Sequence, residues 1–211
     1  MHAFSQRKSY STFPLELRRD IRAFFGSHKR AQESGQELLY SIGNQDLLLA
    51  DAAAAAAAGI GHLEHGKFQF PAHRRQELSV RLRGYVALAE GLAGDLSETT
   101  PLRLHIHIHS RKLTALTYAD FETSFLPRLM TRVKVEFDTF DVSIIDHSAD
   151  NVVRLLYLKS RYMTVSDPRR AAQKAFDQEV LGLNAFNFSN EGPSFREFAQ
   201  TMLKAGIKIP S

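Results

Sequence analysis

The sequence predicts an α+β fold with N-terminal helices, a largely antiparallel sheet of about five strands, and two C-terminal helices. Apolar residues recur with a helical period as far as Gly94, alternate with polar residues from Leu102, and become helical again after Pro168. Short turns rather than helix-length crossovers join most of the predicted strands, which favours antiparallel pairing. We expect one domain over residues 1–211, with a soft internal boundary near residues 95–101.

The first half of the chain is predicted to be helical. Pro14 suits a first helical turn, Leu17 and Ile21 begin an i, i+4, i+7, i+8 apolar pattern, and Gly26 ends it. Asn44 can cap a later helix that carries a tract of seven alanines, and alanine is the best helix former. The helices expected here cover residues 14–25, 27–41, 44–58 and 73–92.

Strict alternation of apolar and polar residues begins at Leu102 and predicts a strand with one buried face. Leu104, Ile106 and Ile108 would face the core. Four polar residues share the opposite face: Arg103, His105, His107 and His109. Further strands are expected at 113–118, 133–137, 140–144 and 152–162, and the C-terminal helices after Pro168 and from Pro193.

The composition is that of an ordinary globular protein, with 44% hydrophobic and 24% charged residues. No window of 18 uninterrupted apolar residues occurs, so we expect no transmembrane helix and no membrane partner. The first eight residues carry no apolar run after their basic residues, so we see no secretory signal and expect a cytoplasmic location. Cysteine is absent, which excludes disulfides, thiolate nucleophiles and cysteine-based zinc sites.

Positive charge is concentrated in two stretches of a chain whose formal net charge is +4. Residues 67–83 hold five cations against Glu77 alone, and residues 103–134 hold six against Asp120 and Glu122. Such stretches could follow phosphate groups, or could be solvated faces of the fold. The candidates for phosphate contact in the first stretch are Arg74, Arg75, Arg81 and Arg83. In the second stretch they are Arg103, Lys134 and the three strand histidines.

The same histidines raise the alternative of a metal site. Alternate residues on a strand lie about 6.6 Å apart along its axis, so two imidazoles could share one ion, whereas the outer pair is too distant. Any metal would therefore take His105, His107 and a carboxylate such as Asp120. The competing interpretations are a polar face turned towards solvent or a polyanion, and a buried, hydrogen-bonded core. Phosphate-binding and nucleophile-elbow glycine motifs are absent, so no cofactor is expected.

Several segments together resemble the bacterial family of DNA phosphorothioation-associated methyltransferase-like proteins. The resemblance lies in the block from Leu17 to Ser27, in His73-Arg74, and in Tyr118, Asp120 and Phe121 before Lys134. The corresponding segments are 17–27, 68–78, 82–95, 104–134, 151–162 and 193–210. The family's cofactor-binding core is missing here, and residues 152–160 replace its "PPILHRKE" block, of which Lys159 is kept. The resemblance implies a stand-alone relative of the accessory region, working near modified DNA in a defence system.

Our leading hypothesis is therefore an accessory protein without cofactor chemistry of its own. It would bind duplex DNA, plain or modified, or another protein of the same defence system. Histidines with an ordinary pKa near 6.5 would add charge as the pH falls towards 6 and tighten that binding. Two alternatives stay open. One is a metal-dependent nuclease or related hydrolase that uses the strand histidines, and the other is a structural subunit whose basic stretches meet an acidic partner.

Overall fold

The computed structural model describes residues 9–96, 102–188 and 192–210, and its centre is a six-stranded antiparallel sheet. The strands follow one another across the sheet in chain order, so each pairs with its sequence neighbours. They are β1 (His62–Glu64), β2 (Lys67–Pro71), β3 (Leu102–His107), β4 (Lys112–Ala119), β5 (Arg128–Glu136) and β6 (Asp141–Asp146).

The helices flank this sheet in sequence as predicted. They are α1 (Leu15–Phe25), α2 (His28–Ile42), α3 (Gln45–Ala57), α4 (Val80–Ala93), α5 (Arg170–Gly182) and α6 (Phe195–Lys204). Side-chain caps fix several of their starts: the Ser27 hydroxyl accepts from the Arg30 amide, and Asn44 accepts from two amides at the start of α3. The α+β fold class is confirmed, with six strands instead of about five.

The β1–β2 hairpin was not expected from the sequence, and it explains the additional strands. His65 and Gly66 both have positive φ, at 46° and 71°, as the two-residue turn of a tight hairpin requires. Immediately after β2, the predicted helix over 73–92 is divided. Ala72–Glu77 forms a 3-10 helix, and α4 begins only after Ser79, whose hydroxyl accepts from the Leu82 amide.

The strand expected over 152–162 is wrong. This segment makes one isolated bridge, between Arg128 and Leu155, and a 3-10 turn over Lys159–Arg161. Its apolar side chains turn into the C-terminal core instead of alternating across a sheet. Leu158 packs with residues of α5 and α6, such as Phe176 and Phe198, because those helices provide a larger apolar surface than the edge of β6.

The two faces of the sheet have different coverings. On the first face, α2, α3 and α4 bury the core, which includes Leu48, Leu82, Phe68 and Ile106 and therefore spans the soft boundary expected near 95–101. On the second face, the C-terminal segment covers only one end, where Leu116, Tyr118 and Leu129 pack against Leu156 and Met163. The remaining part of this second face forms the floor of a groove. No helix among the described residues is long and apolar enough to cross a bilayer.

Candidate anion-binding groove

The groove lies on the second face of the sheet and has a volume of about 410 Å³. Strand register brings its floor residues together in rows. Lys67, His107 and Lys112 are neighbours across β2, β3 and β4. The next row holds Gln69, His105, Thr114 and Lys134, and the third holds Arg103, Leu116 and Arg132. Because paired strands lie about 4.8 Å apart, each row brings residues distant in sequence within reach of one ligand.

Lysine and arginine dominate the charge of this groove. Seven of them line it: Lys67, Arg103, Lys112, Arg132, Lys134, Arg154 and Arg161. No Asp or Glu lies among its described lining residues, although Lys112 Nζ bonds to Glu136 at 2.9 Å and Arg154 pairs with Asp150. Lys134 and Arg161 make no side-chain hydrogen bond or ion pair within the described residues. The groove is therefore a concave, positively charged surface, which attracts and concentrates anions.

The two histidines on the floor are held in their neutral form. Arg103 Nε donates to His105 Nε2 at 2.6 Å, which places the His105 proton on Nδ1. His107 Nε2 lies 3.1 Å from the Thr114 hydroxyl. Burial, reinforced by Arg103, holds the pKa of His105 well below its usual value. Burial, reinforced by Lys67, Lys112 and Lys134, lowers the pKa of His107 to about 4.

These pKa values correct one expectation from the sequence. The histidines of β3 were expected to gain charge as the pH falls towards 6, and for His105 and His107 that is wrong, because burial beside fixed cations disfavours a further positive charge. Between pH 6 and 8 these two histidines act as uncharged hydrogen-bonding groups. The positive charge of the groove floor comes from lysine and arginine.

Aromatic side chains line the end of the groove nearest the C-terminal segment. They are Tyr118, Tyr157, Tyr162 and Phe188. The Arg103 guanidinium carbon lies 5.1 Å from the centroid of the Tyr162 ring and 6.0 Å from that of Tyr118, so the cation is held against aromatic faces. Tyr157 donates from its hydroxyl to the Pro193 carbonyl at 2.9 Å, which ties this wall to the start of α6.

The sequence-predicted contact residues divide between the groove and elsewhere. The structure brings Arg103, His105, His107 and Lys134 together in it. His109 does not join them, because β3 ends at His107 and His109 lies exposed in the following turn, with its ring against Gly66.

The four arginines predicted from the first basic stretch lie outside the groove, and three of them are neutralised by carboxylates. Arg74 Nη2 lies 2.6 Å from Glu77, Arg81 makes bonds of 2.8 and 2.9 Å to Asp51, and Arg75 pairs with Glu90. Arg83 reaches only Gln76, at 3.5 Å. These pairings favour structural roles for Arg74, Arg75 and Arg81 over phosphate contact, because a phosphate would have to displace a carboxylate already in place.

Sequence reasoning did not select Lys67, Lys112, Arg132, Arg154 or Arg161 as contacts. Alternation along β4 and β5 could have placed Lys112 and Arg132 on the same face as Lys134, since they are even-numbered positions of paired strands. Lys67 could not be placed on this face from the sequence, because the β1–β2 hairpin that carries it was not expected. No sequence pattern could have found Arg154 and Arg161, because they lie in an irregular segment.

The predicted metal ligands do not assemble. His105 and His107 are neighbours, with ring centroids 6.0 Å apart, but Asp120 is not among the residues that line the groove. Within the described part of the chain, no group of three or more His, Asp or Glu side chains could hold a metal ion. The lysines around His107 also favour an anion over a divalent cation at this position.

Comparisons with protein-family models, with curated proteins and with solved structures gave no match. The resemblance to the phosphorothioation-associated family therefore stays a prediction. The chemistry of the groove is the basis for a functional proposal.

Proposed function

We propose that this protein binds DNA through the groove on the second face of its sheet, as an accessory factor of a DNA-modification or defence system. The observation that carries the proposal is the convergence of seven lysine and arginine residues on a concavity whose described lining has no carboxylate. They come from four strands and from the segment after β6. The association with phosphorothioation rests on the sequence resemblance alone.

Phosphate groups suit this groove better than carboxylate or metal ligands do. Binding of several phosphates releases condensed counterions from DNA, so a cluster of cations gives strong but salt-dependent affinity. Lys134 and Arg161 have no competing carboxylate in the described structure. The neutral His107 and its hydrogen-bonded partner Thr114 can add donors and acceptors between the charges.

The test is an anisotropy titration of the whole protein with a single strand and a duplex of the same sequence, plain and phosphorothioated, over a salt series. We expect log affinity to fall linearly with log salt, and Lys134→Ala to reduce the slope by about one. Lys174→Ala, which removes an exposed lysine of α5, is the matched control and should leave the slope unchanged. A preference for phosphorothioated DNA would support the defence setting.

Two results would contradict the proposal. Absence of binding to every oligonucleotide at low salt would contradict DNA binding. It would favour the alternative in which the same cations bind an acidic protein. Equal losses of affinity from Lys134→Ala and Lys174→Ala would place the DNA contact outside the groove.

A further inference from the structure

The chemistry of the groove changes along its length in an ordered way. Lys67 and Lys112 flank His107 at one end. Lys134 lies in the next row with the uncharged Gln69 and Thr114, and Arg103 lies against the Tyr162 ring at the other end. Cations therefore line the whole floor, as contact with phosphates requires, but such contact does not require uncharged amide and hydroxyl groups or an aromatic end. Lysines at one end, hydrogen-bonding groups in the middle and an arginine held against tyrosine rings at the other end match a molecule that is anionic at one end and planar at the other.

Gln69 provides the most specific observation. Only 6% of the residue is exposed, and its amide makes no hydrogen bond within the described residues. The amide atoms are nevertheless not enclosed, so they reach the open space of the groove. Gln69 lines both the groove and the adjoining cavity, and Tyr162 lines the same two spaces. The amide therefore offers one donor group and one acceptor to a ligand held near Tyr162.

Tyr162 and Arg103 supply flat surfaces at this position. The guanidinium of Arg103 is held by its bond to His105 and by the two tyrosine rings beside it, so it is oriented before any ligand arrives. Unpaired bases stack on aromatic rings and on arginine planes, whereas bases within a duplex are already stacked on each other.

The size of the groove excludes a whole duplex. Its 410 Å³ lies within the ~300–1,000 Å³ typical of pockets that enclose a small ligand. The major groove of B-DNA alone is about 12 Å wide, so a duplex could contact only the rim of a space this small. One extended nucleotide, by contrast, carries its phosphate, sugar and base in the same order as the groove residues.

We infer that the groove accepts one unpaired nucleotide of a DNA strand, with its phosphate at Lys67 and Lys134 and its base between Gln69 and Tyr162. This inference rests on the proposed function and specifies the form of DNA that is bound. A strand end, an overhang or a nucleotide turned out of a duplex would each satisfy it.

The test compares three duplexes of equal length and charge in the same buffer: one fully paired, one with a single unpaired nucleotide, and one with an abasic residue at that position. We expect the unpaired nucleotide to tighten binding by five-fold or more over the paired duplex, and the abasic residue to remove that gain. Gln69→Leu and Tyr162→Ala should each reduce the gain at least three-fold without changing the salt slope, whereas Lys134→Ala should weaken binding to all three duplexes.

The outcomes separate the inference from the proposed function. Equal affinity for the paired and unpaired duplexes, with the salt slope still dependent on Lys134, would overturn the unpaired-nucleotide site and leave DNA binding intact. Full retention of the gain with the abasic residue would also overturn it, because no base would then be recognised. Absence of binding to any of the three would overturn both. Thermal denaturation of each variant confirms that it is folded.

Discussion

Gln69→Leu tests the groove through stability, independently of any ligand. Leucine has nearly the volume of glutamine, and at this position it replaces an amide that has no bond to the described residues and whose polar atoms reach the groove. The side chain does not enter the core, because its neighbours Phe68 and Phe70 on β2 occupy the opposite face. We therefore expect Gln69→Leu to change the free energy of unfolding by less than about 0.5 kcal/mol.

Urea denaturation followed by circular dichroism measures this change. The midpoint and the m-value should both stay nearly constant, and the melting temperature should change by no more than roughly 2 °C for a chain of this size. Thr114→Val is the matched control. Thr114 is equally buried, at 6% exposed, but its hydroxyl is bonded to His107, so the same polar-to-apolar change should lower stability by about 1 kcal/mol.

A fall of about 1 kcal/mol or more for Gln69→Leu would refute the reasoning. It would mean that the amide is well satisfied in the free protein, and a glutamine that is already satisfied is not poised to bind a base. Similar changes for Gln69→Leu and Thr114→Val would show that burial alone, rather than the presence of a partner, decides the effect.

Three further predictions concern the pH response and the supports of the fold. His107 has a pKa of about 4 in the folded protein against 6.5 when unfolded, so only the unfolded chain takes up this proton between those values. Solvent reaches part of the His107 ring and screens the lysines, so stability should fall by about 1–2 kcal/mol as the pH drops from 6.5 to 4. His107→Gln should flatten that part of the stability curve, and an unchanged curve would contradict the low pKa. Gly66→Ala should destabilise the protein by about 1–3 kcal/mol in urea denaturation, because Gly66 has a φ of 71° and an added Cβ would lie 2.2 Å from the His109 ring. A neutral effect would contradict the tight hairpin. Asp177→Ala should lower the free energy of unfolding by about 2–4 kcal/mol, because this buried carboxylate accepts from the Ser160 amide and from the Gln173 side chain, both at 2.9 Å. A loss below 1 kcal/mol would show that water replaces the carboxylate.

Local patterns in the sequence predicted most of the architecture, whereas contacts distant in sequence decided the site. Alternation placed Arg103, His105 and His107 on one face of β3, and that prediction holds. It did not reveal that Asp51, thirty residues earlier, pairs with Arg81. Charge counting along the chain treats every arginine as available, but the carboxylates that neutralise one can come from any part of the fold.

The two errors in strand prediction have a similar origin. A run of only three residues in β1, joined by a two-residue turn, is too short for its period to be recognised, although Gly66 is typical of such a turn. The segment 152–162 has the apolar content of a strand, but α5 and α6 compete for its side chains more effectively than β6 does. The sequence of one segment shows neither which strand it will pair with nor which helices will compete for its apolar side chains.

The three lysines of the groove belong to β2, β4 and β5. In the chain, α4 and β3 separate β2 from β4, and β5 follows β4 directly. A ligand held by all three therefore binds only when the whole meander is in register, and it has no affinity for a partly ordered chain. By mass action, saturation at one hundred times the dissociation constant would stabilise the complete sheet by about 2.7 kcal/mol. Calorimetry of the protein against a panel of small anions could then rank ligands by the unfolding temperature alone, before any partner has been identified.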